Sequence, residues 1–178
     1  MFKKLTLLLA TLLALFTLLN CGADSESKTD VAKLNTKSAT QTKTAVASFS
    51  ASDLNGTVHQ SSEWIGKQPV VINFWGTWCP PCRREIPELV KLYDEYRDKG
   101  VEIVSLAVRD TPEKVDKFTQ ANNMNWVMLM GDIQILQAMK ATRGVPTTIF
   151  YDKDGNEKFR FVGARDYNTF KQAFESII

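Results

Sequence analysis

The chain has 178 residues, of which 44% are hydrophobic and 24% charged, and its formal net charge is +2 at pH 7. Lys3 and Lys4 account for that charge, because the rest of the chain carries equal numbers of basic and acidic side chains. This balance excludes the cationic surface typical of nucleic-acid-binding proteins, so no nucleic-acid partner is expected.

The first twenty residues have the pattern of an export signal. Two lysines precede an apolar run, Leu5–Leu19, that only threonine interrupts, as in the n-region and h-region of a signal peptide. About 15 apolar residues are few for a membrane span, which needs about 20. The segment Leu18–Cys21 resembles the lipobox of bacterial lipoproteins, so we predict a lipoprotein signal peptide over residues 1–20 and lipidation of Cys21. The alternatives are an uncleaved anchor and an ordinary cleaved signal, and all three place the domain outside the cytoplasm.

Residues 21–48 differ in composition from the segments on either side. Gly22 to Ser48 is rich in Ser, Thr, Lys, Ala and Asp and contains no aromatic residue. Such a composition predicts a flexible tether, and about 26 flexible residues give an end-to-end distance on the order of 25–30 Å. Residues 49–178 are enough for one hydrophobic core, so we predict a single domain there.

The predicted elements of this domain begin with a hairpin and continue as strands and helices. The turn sequence DLNG at residues 53–56 predicts a hairpin between Phe49 and Gln60. Apolar runs of strand length predict buried strands over Val70–Trp75 and Val101–Val108. Between them, apolar residues at helical spacing predict a helix over Pro80–Lys99, which Gly100 ends.

In the second half of the domain, the sequence predicts further alternation of helices and strands, followed by a hairpin. Thr111 as N-cap and Pro112 at the first helical position predict a helix that ends at about Ala121. The remaining predictions are a strand over Trp126–Met130, a helix from Asp132 to Thr142, hairpin strands over Thr147–Tyr151 and Glu157–Val162, and a helix over Tyr167–Ile178. Five aromatic residues are core candidates: Phe150, Phe159, Phe161, Phe170 and Phe174. This order predicts an α/β fold with a mixed central sheet flanked by helices.

Two of the three cysteines are two residues apart, in the segment WCPPC at residues 78–82. A pair this close, at a turn between a strand and a helix, closes into a disulfide and reopens, which indicates redox chemistry. Cys79 precedes the helix, where free N–H groups and the helix dipole favour a thiolate, so we predict that it is the attacking nucleophile. Cys82 is predicted to resolve the mixed disulfide. Trp78 is expected to cover one side of the pair.

Other uses of the cysteine pair have less support in the sequence. A zinc site needs four ligands, and only Cys21 and His59 add to the available cysteines and histidines, so no metal is expected. A structural disulfide closing so small a loop stabilises little through chain entropy. A metal carrier or binding module of the same fold, without redox turnover, remains the alternative function. A peroxidase is a weaker rival, because neither cysteine of the pair lies in a Pro-x-x-x-Thr-x-x-Cys pattern.

The chain carries NFWGTWCPPCRRE at residues 73–85 and GVPTT at residues 144–148. These segments resemble the membrane-anchored thioredoxin-like proteins of the TlpA/ResA type, and the resemblance covers residues 49–178. It implies a thioredoxin-like fold with an N-terminal β-hairpin and an inserted helix near Glu113–Ala121. It also implies an extracytoplasmic thiol–disulfide oxidoreductase that uses the redox-active Cys79–Cys82 disulfide and no other cofactor.

The resemblance also implies roles for individual residues. Pro146 matches the cis-proline that faces the dithiol, and Val145 would present its backbone to the substrate. From its place beside the cysteine pair, Trp78 is predicted to be a further substrate-binding residue. Glu85 matches an acidic residue that tunes the cysteines or handles protons, and the alternative is a solvated carboxylate in the first turns of a helix. Asn73 stands where ordinary thioredoxins have a buried aspartate, which strengthens the case for Glu85.

Together these features predict a lipid-anchored oxidoreductase of the bacterial cell envelope that faces the periplasm or the cell exterior. The resemblance implies that the reaction is the reduction of disulfides in envelope proteins, such as apocytochrome c before haem attachment. The expected partners are protein thiols and disulfides, a membrane-embedded thiol that donates electrons, and the membrane itself through the lipid.

Overall fold

A five-stranded sheet lies at the centre of the computed structural model, which describes residues 48–178. The elements in chain order are β1 (Ser50–Ser52), β2 (Val58–Gln60), β3 (Val70–Trp75), α1 (Pro80–Tyr96), β4 (Glu102–Val108), α2 (Pro112–Ala121), β5 (Val127–Gly131), α3 (Ile133–Ala138), β6 (Thr147–Tyr151), β7 (Glu157–Val162) and α4 (Tyr167–Glu175). Short 3₁₀ turns cover Ser61–Glu63 and Arg97–Lys99.

The sheet is mixed, with strand order β5-β4-β3-β6-β7. Strand β4 is parallel to both of its neighbours, β3 and β5, whereas β6 is antiparallel to β3 and β7. The predicted N-terminal hairpin is formed by β1 and β2, and an isolated bridge between Asp53 and Leu129 joins its turn to β5. The predicted α/β fold, with a mixed sheet flanked by helices and an N-terminal hairpin, is confirmed.

The central strand β3 is buried on both faces, as its apolar sequence predicts. Val71 and Trp75 belong to a core that includes residues of α1 and α4. Ile72 and Phe74 belong to a second core that includes residues of α3. Because side chains alternate along a strand, Asn73 lies on the same face as Val71 and Trp75, on the side of α1.

Helix α1 follows its predicted course. Cys79 is the N-cap and Pro80 the first helical residue, a position where the missing N–H of proline costs nothing. The last turn tightens into the 3₁₀ turn at Arg97–Lys99, and Gly100 ends it with φ 85°, a left-handed conformation that glycine adopts without strain.

Helix α3 is shorter than the sequence predicts. Asp132 caps it as expected, through a 2.8 Å hydrogen bond from the N–H of Ile135 to Oδ1, but the helix ends at Ala138 and not at Thr142. Lys140 adopts φ 53°, and the N–H of Ala141 donates to the carbonyl of Leu136 at 2.7 Å. This bond closes a Schellman-type C-cap, which stops the helix although no glycine marks the position.

Four of the five aromatic core candidates are at least partly buried, and Phe159 is not. Phe150, Phe170 and Phe174 have 0% of their surface exposed, whereas Phe159 is 41% exposed. Strand β7 is at the edge of the sheet, so Phe159 has a neighbouring strand on one side only. Its ring stacks on that of Phe161, 5.9 Å away, and the prediction that it belongs to the core is wrong.

Residues 1–47 lie outside the described residues. They contain the predicted signal peptide, Cys21 and all but the last residue of the predicted tether, so these remain predictions. In the part of the chain that the structure describes, no helix combines the length and the apolar character that a membrane crossing needs.

Candidate active site

Cys79 and Cys82 form a disulfide at the start of α1. Their Cα atoms are 5.3 Å apart, and their exposed fractions are 2% and 0%. The backbone N–H of Cys82 points at Cys79 Sγ, 3.3 Å away, because Cys79 occupies the N-cap position, where the N–H groups of the first helical turn have no backbone acceptor. A thiolate on Cys79 would therefore have a hydrogen-bond donor and the positive end of the helix dipole beside it.

The loop before β6 faces the same sulfur. The Val145–Pro146 peptide bond is cis, as the resemblance implies, and the carbonyl oxygen of Val145 lies 3.7 Å from Cys79 Sγ. Hydrogen bonds fix this loop at both ends. Thr147 Oγ1 donates to the carbonyl of Gly144 at 2.6 Å, and the N–H of Gly163 donates to the carbonyl of Pro146 at 2.8 Å. The structure thus brings Val145 and Pro146 to the dithiol, and their role in binding substrate stays a prediction.

Trp78 is held beside the end of β4. Its Nε1 donates to the carbonyl of Val108 at 3.0 Å, and the guanidinium carbon of Arg109 lies 4.5 Å from the centre of its ring. A side chain at Gly76 would place Cβ 2.6 Å from Trp78 Nε1, so glycine is required there. Trp78 is 44% exposed, and whether it shields the dithiol stays a prediction.

Asp110 holds the same loop and was not singled out by the sequence. Its carboxylate accepts hydrogen bonds from the backbone N–H of Thr77 at 2.7 Å and from Thr77 Oγ1 at 3.0 Å. The residue precedes the N-cap Thr111, which suggested no more than an ordinary loop position. The register of β3 and β4 places the two segments side by side, and only the fold reveals the contact.

Glu85 is buried beneath the dithiol turn, with 1% of its surface exposed. Its Oε1 accepts a 3.1 Å hydrogen bond from Asn73 Nδ2, and its Oε2 has no hydrogen-bond partner within residues 48–178. Burial raises the pKa of Glu85 to about 8, against the opposing effects of the Asn73 hydrogen bond and of Arg165. The alternative of a solvated helix carboxylate is therefore excluded, and the catalytic role of Glu85 stays a prediction.

Arg165 lowers the pKa of this carboxyl group through its backbone N–H and its charge, but its guanidinium does not form an ion pair with it. Its guanidinium donates to the backbone carbonyls of Val162, Gly163 and Ala164 at 2.9–3.2 Å and lies against the ring of Phe161. The Glu85 carboxyl is thus held in a buried site without a paired cation, which is why burial dominates its pKa.

A cavity of about 280 Å³ borders the same loop. Its walls include Val108 at the end of β4 and Arg109 after it, Ile133 and Leu136 of α3, and Val145. Val145 therefore contacts Cys79 Sγ on one side and the cavity on the other. No pattern in the sequence predicts this cavity, because its walls come from three separate segments.

A metal site needs several ligands close together. Within residues 48–178, no group of three or more His, Cys, Asp or Glu side chains is placed to hold a metal ion.

Comparisons with known proteins identify the family. The model of the AhpC/TSA family matches residues 42–159. The chain belongs to this family. It is 37% identical over 142 residues to the thiol-disulfide oxidoreductase ResA of Geobacillus thermodenitrificans, an alignment that covers 76% of this chain and 80% of the relative.

Solved structures agree with this membership. A thiol:disulfide interchange protein of the thioredoxin family from Chlorobium tepidum TLS is 27% identical with a TM-score of 0.65, covering 73% of this chain and 92% of that one. A secreted disulfide oxidoreductase of Mycobacterium tuberculosis, at 24% identity and a TM-score of 0.64, has the same fold over 72% of this chain and 95% of its own. The protein is a thiol–disulfide oxidoreductase with a thioredoxin-like fold and a Cys79–Cys82 pair.

Proposed function

We propose that this protein is a lipid-anchored reductase of disulfides in proteins of the bacterial cell envelope. The observation that carries the proposal is the position of Cys79 Sγ, 3.3 Å from the N–H of Cys82 and 3.7 Å from the carbonyl of Val145. The first contact stabilises a thiolate on that sulfur. The second contact supports the proposal that the backbone of a bound substrate meets the sulfur on the side of Val145.

The reaction begins with the reduced protein. The Cys79 thiolate attacks one sulfur of a substrate disulfide, so that a mixed disulfide forms, the substrate S–S bond breaks and the released sulfur takes up a proton. The Cys82 thiolate then attacks Cys79 Sγ, the mixed disulfide breaks and the second substrate sulfur is released and protonated. The substrate has gained two electrons and two protons, and the protein holds the Cys79–Cys82 disulfide, which a membrane-embedded thiol donor reduces again.

Glu85 is proposed to exchange a proton with Cys82. It follows Cys82 by three residues on α1 and therefore shares a helix face with it. With a pKa of about 8, Glu85 is mostly protonated at neutral pH, and its ionised minority accepts the proton that Cys82 loses before it attacks. The pKa of this carboxyl is close to that of a thiol, so the transfer costs little.

The proton-exchange role is tested by Glu85→Gln. We expect a fall of about 100-fold in the rate of insulin reduction, together with loss of the ionisation near pH 8 from the pH–rate profile. Glu88→Gln, one turn further along α1, is the matched control and should leave both unchanged. An unaltered pH profile in Glu85→Gln would exclude the role.

The direction of electron flow is proposed to be reduction. Both sulfurs are buried, which disfavours a thiolate, and the hydrogen-bond donor to Cys79 Sγ within the described residues is an uncharged N–H. Strong oxidants of this chemistry have a highly stabilised reduced form. A potential near about −270 mV in glutathione equilibration supports a reductase, and one near about −120 mV indicates an oxidase.

Substrate identity is tested by trapping. Cys82→Ser should retain the mixed disulfide on Cys79, and apocytochrome c among the captured proteins would support the cytochrome-maturation role. Cys79→Ser should abolish insulin reduction, whereas Cys21→Ser, the matched control for loss of a cysteine, should retain it. Full activity of Cys79→Ser would favour the binding-module alternative.

The lipid anchor is tested separately. Labelled palmitate should be incorporated into the wild-type protein and not into Cys21→Ser, which should leave the membrane fraction. Labelling of both proteins would exclude Cys21 as the attachment site.

A further inference from the structure

A row of buried polar side chains crosses the three middle strands of the sheet. Asn73 of β3 is directly opposite Ser105 of β4 on one side and Thr148 of β6 on the other. Their exposed fractions are 1%, 0% and 1%. The strands around them are otherwise apolar, so this row is a polar layer enclosed in the core.

Hydrogen bonds connect the row to Trp126 through Ser105 and to Glu85 through Asn73. Trp126 Nε1 lies 2.8 Å from Ser105 Oγ, and Ser105 Oγ lies 3.3 Å from Asn73 Oδ1. On its other side, Asn73 Nδ2 lies 3.0 Å from Thr148 Oγ1 and 3.1 Å from Glu85 Oε1. We call Trp126, Ser105 and Asn73 the relay.

The direction of the hydrogen bonds in the relay follows from what its members can donate and accept. An indole N–H is a donor only, so Ser105 Oγ accepts from Trp126. A buried hydroxyl hydrogen also needs an acceptor, and the structure gives Ser105 one in Asn73 Oδ1, 3.3 Å away. With Oδ1 engaged as an acceptor, the amide must present Nδ2 to Glu85 and Thr148, so the orientation of this amide follows from chemistry as well as from the coordinates.

The same argument from donors and acceptors applies to the two oxygens of the Glu85 carboxyl group. Asn73 Nδ2 donates to Glu85 Oε1, and an acid hydrogen on that oxygen would face another donor. The free oxygen of the carboxyl group is Oε2, which has no partner among residues 48–178. We propose that the relay is a positioning device that fixes the amide of Asn73 and thereby assigns the acid proton of Glu85 to Oε2. The inference rests on the proposed role of Glu85 in proton exchange.

Besides the relay, Arg165 after β7 acts on Glu85, because its backbone N–H and its charge both lower the pKa of the carboxyl group, while its guanidinium is engaged by backbone carbonyls. The two cysteines at the start of α1 form a disulfide in the oxidised protein and do not titrate. Asn73, Ser105 and Trp126 do not titrate. A change in the relay therefore changes the carboxyl through hydrogen bonding and not through charge.

The first test breaks the relay at its middle with Ser105→Ala in the full-length, oxidised protein. Asn73 Oδ1 then loses its donor, and the amide becomes free to turn and accept the acid O–H of Glu85, which stabilises the neutral form. We expect the Glu85 titration midpoint, followed by the ¹³C shift of its labelled carboxyl carbon, to rise by about one pKa unit.

The matched control is Ser61→Ala. Ser61 is equally buried, at 3% exposure, and its hydroxyl accepts one hydrogen bond, from the N–H of Phe49, outside the relay. We expect no shift of the Glu85 midpoint in this control.

A second pair of variants tests the tryptophan end of the relay. Trp126→Phe should move the Glu85 midpoint in the same direction as Ser105→Ala. Trp64 has the same exposed fraction as Trp126, 8%, and Trp64→Phe should leave the midpoint unchanged. Midpoints that are unchanged or lowered in the relay variants would overturn the proposal.

The second test needs no change in the relay. The indole N–H resonance of Trp126 in the wild-type protein should shift with pH at the midpoint of Glu85, and this shift should vanish in Glu85→Gln. The indole of Trp64 should not follow that midpoint. A Trp126 resonance that does not respond to the Glu85 titration would overturn the relay even if the variants fail to fold.

Both tests measure titration and not disulfide exchange, so the two proposals fail separately. If Glu85→Gln keeps the wild-type pH–rate profile while the relay variants shift the Glu85 midpoint, the catalytic role fails and the relay stands. If Glu85→Gln loses that profile but the midpoints do not move, the relay fails and the catalytic role stands.

Discussion

Two carboxyl groups of this protein, those of Glu85 and Glu63, have pKa values that their surroundings shift in opposite directions. Glu85 lies in the core without a paired cation, and burial raises its pKa to about 8. Glu63 lies at the end of the N-terminal hairpin, where a hydrogen bond with His59, 2.9 Å away, lowers its pKa. The comparison shows that charge state here follows solvent access and partners, not residue type, and that only the buried site is suited to proton exchange near neutral pH.

The largest expected effect comes from removing the buried charge. The folded-state pKa of Glu85 is above its unfolded value, so the folded protein binds more protons and its stability falls as pH rises from about 4.5 to 8. Glu85→Gln removes this loss, and the variant should exceed the oxidised wild-type protein in unfolding free energy by a few kcal/mol at pH 9 and match it near pH 4. Urea unfolding across this range measures the difference.

The control for this prediction is Glu63→Gln, beside the exposed N-terminal hairpin. This variant should not show the gain in unfolding free energy at pH 9. A wild-type stability that is flat between pH 5 and 8 would contradict the raised pKa of Glu85.

The second prediction introduces a carboxyl into the buried row. Asn73→Asp places an acid beside Glu85, and two adjacent buried carboxyls cannot both ionise cheaply. We expect a destabilisation of about 2 kcal/mol at pH 7, growing as the pH rises, because a buried donor is lost and a charge is added. Asn55→Asp, in the exposed hairpin turn, is the same substitution in solvent and should have little effect. Equal denaturation midpoints for the two variants would contradict the comparison.

The smallest expected effect is in the hairpin. The hydrogen bond with Glu63, with smaller contributions from the charges of Glu63 and Asp53, raises the pKa of His59. The stability that this provides is therefore complete below the unfolded pKa of about 6.5 and is lost as pH rises through the folded value. His59→Gln should lower the melting temperature slightly at pH 5.5 and not at pH 9. A loss of equal size at both pH values would show that packing on Trp64, and not charge, is the contribution of His59.

Local sequence signals predicted most of the fold because the local preferences agree with the final structure. The apolar run of β3, the N-cap Thr111 and the turn at residues 53–56 each specify their own element. The end of α3 was missed because Lys140 adopts a left-handed conformation that the sequence normally announces with glycine. The exposure of Phe159 depends on the position of β7 at the edge of the sheet, which a pattern within one strand does not reveal.

In the candidate site, too, some features could be predicted from short segments of sequence and others depend on the fold. The cysteines and the proline loop are recognisable as short segments, and the sequence identified Cys79, Cys82, Val145 and Pro146 as one group, which the structure brings together. The burial of Glu85 and its connection to Trp126 require the register of β3, β4 and β6. Ser105 was the available signal, since it is a polar residue within an apolar strand, but its partners are distant in sequence.

The low exposure of the two sulfurs, 2% for Cys79 and 0% for Cys82, separates this protein kinetically from free thiols around it. Disulfide exchange requires an attacking sulfur to approach along the S–S axis, so restricted access slows every small reductant or oxidant that has no complementary surface. We expect a macromolecule that docks over the dithiol turn and the Val145 loop to gain that approach more readily than a small molecule does. The redox state of the protein would then follow its docking partners, and a compartment could hold it reduced while its surroundings remain oxidising.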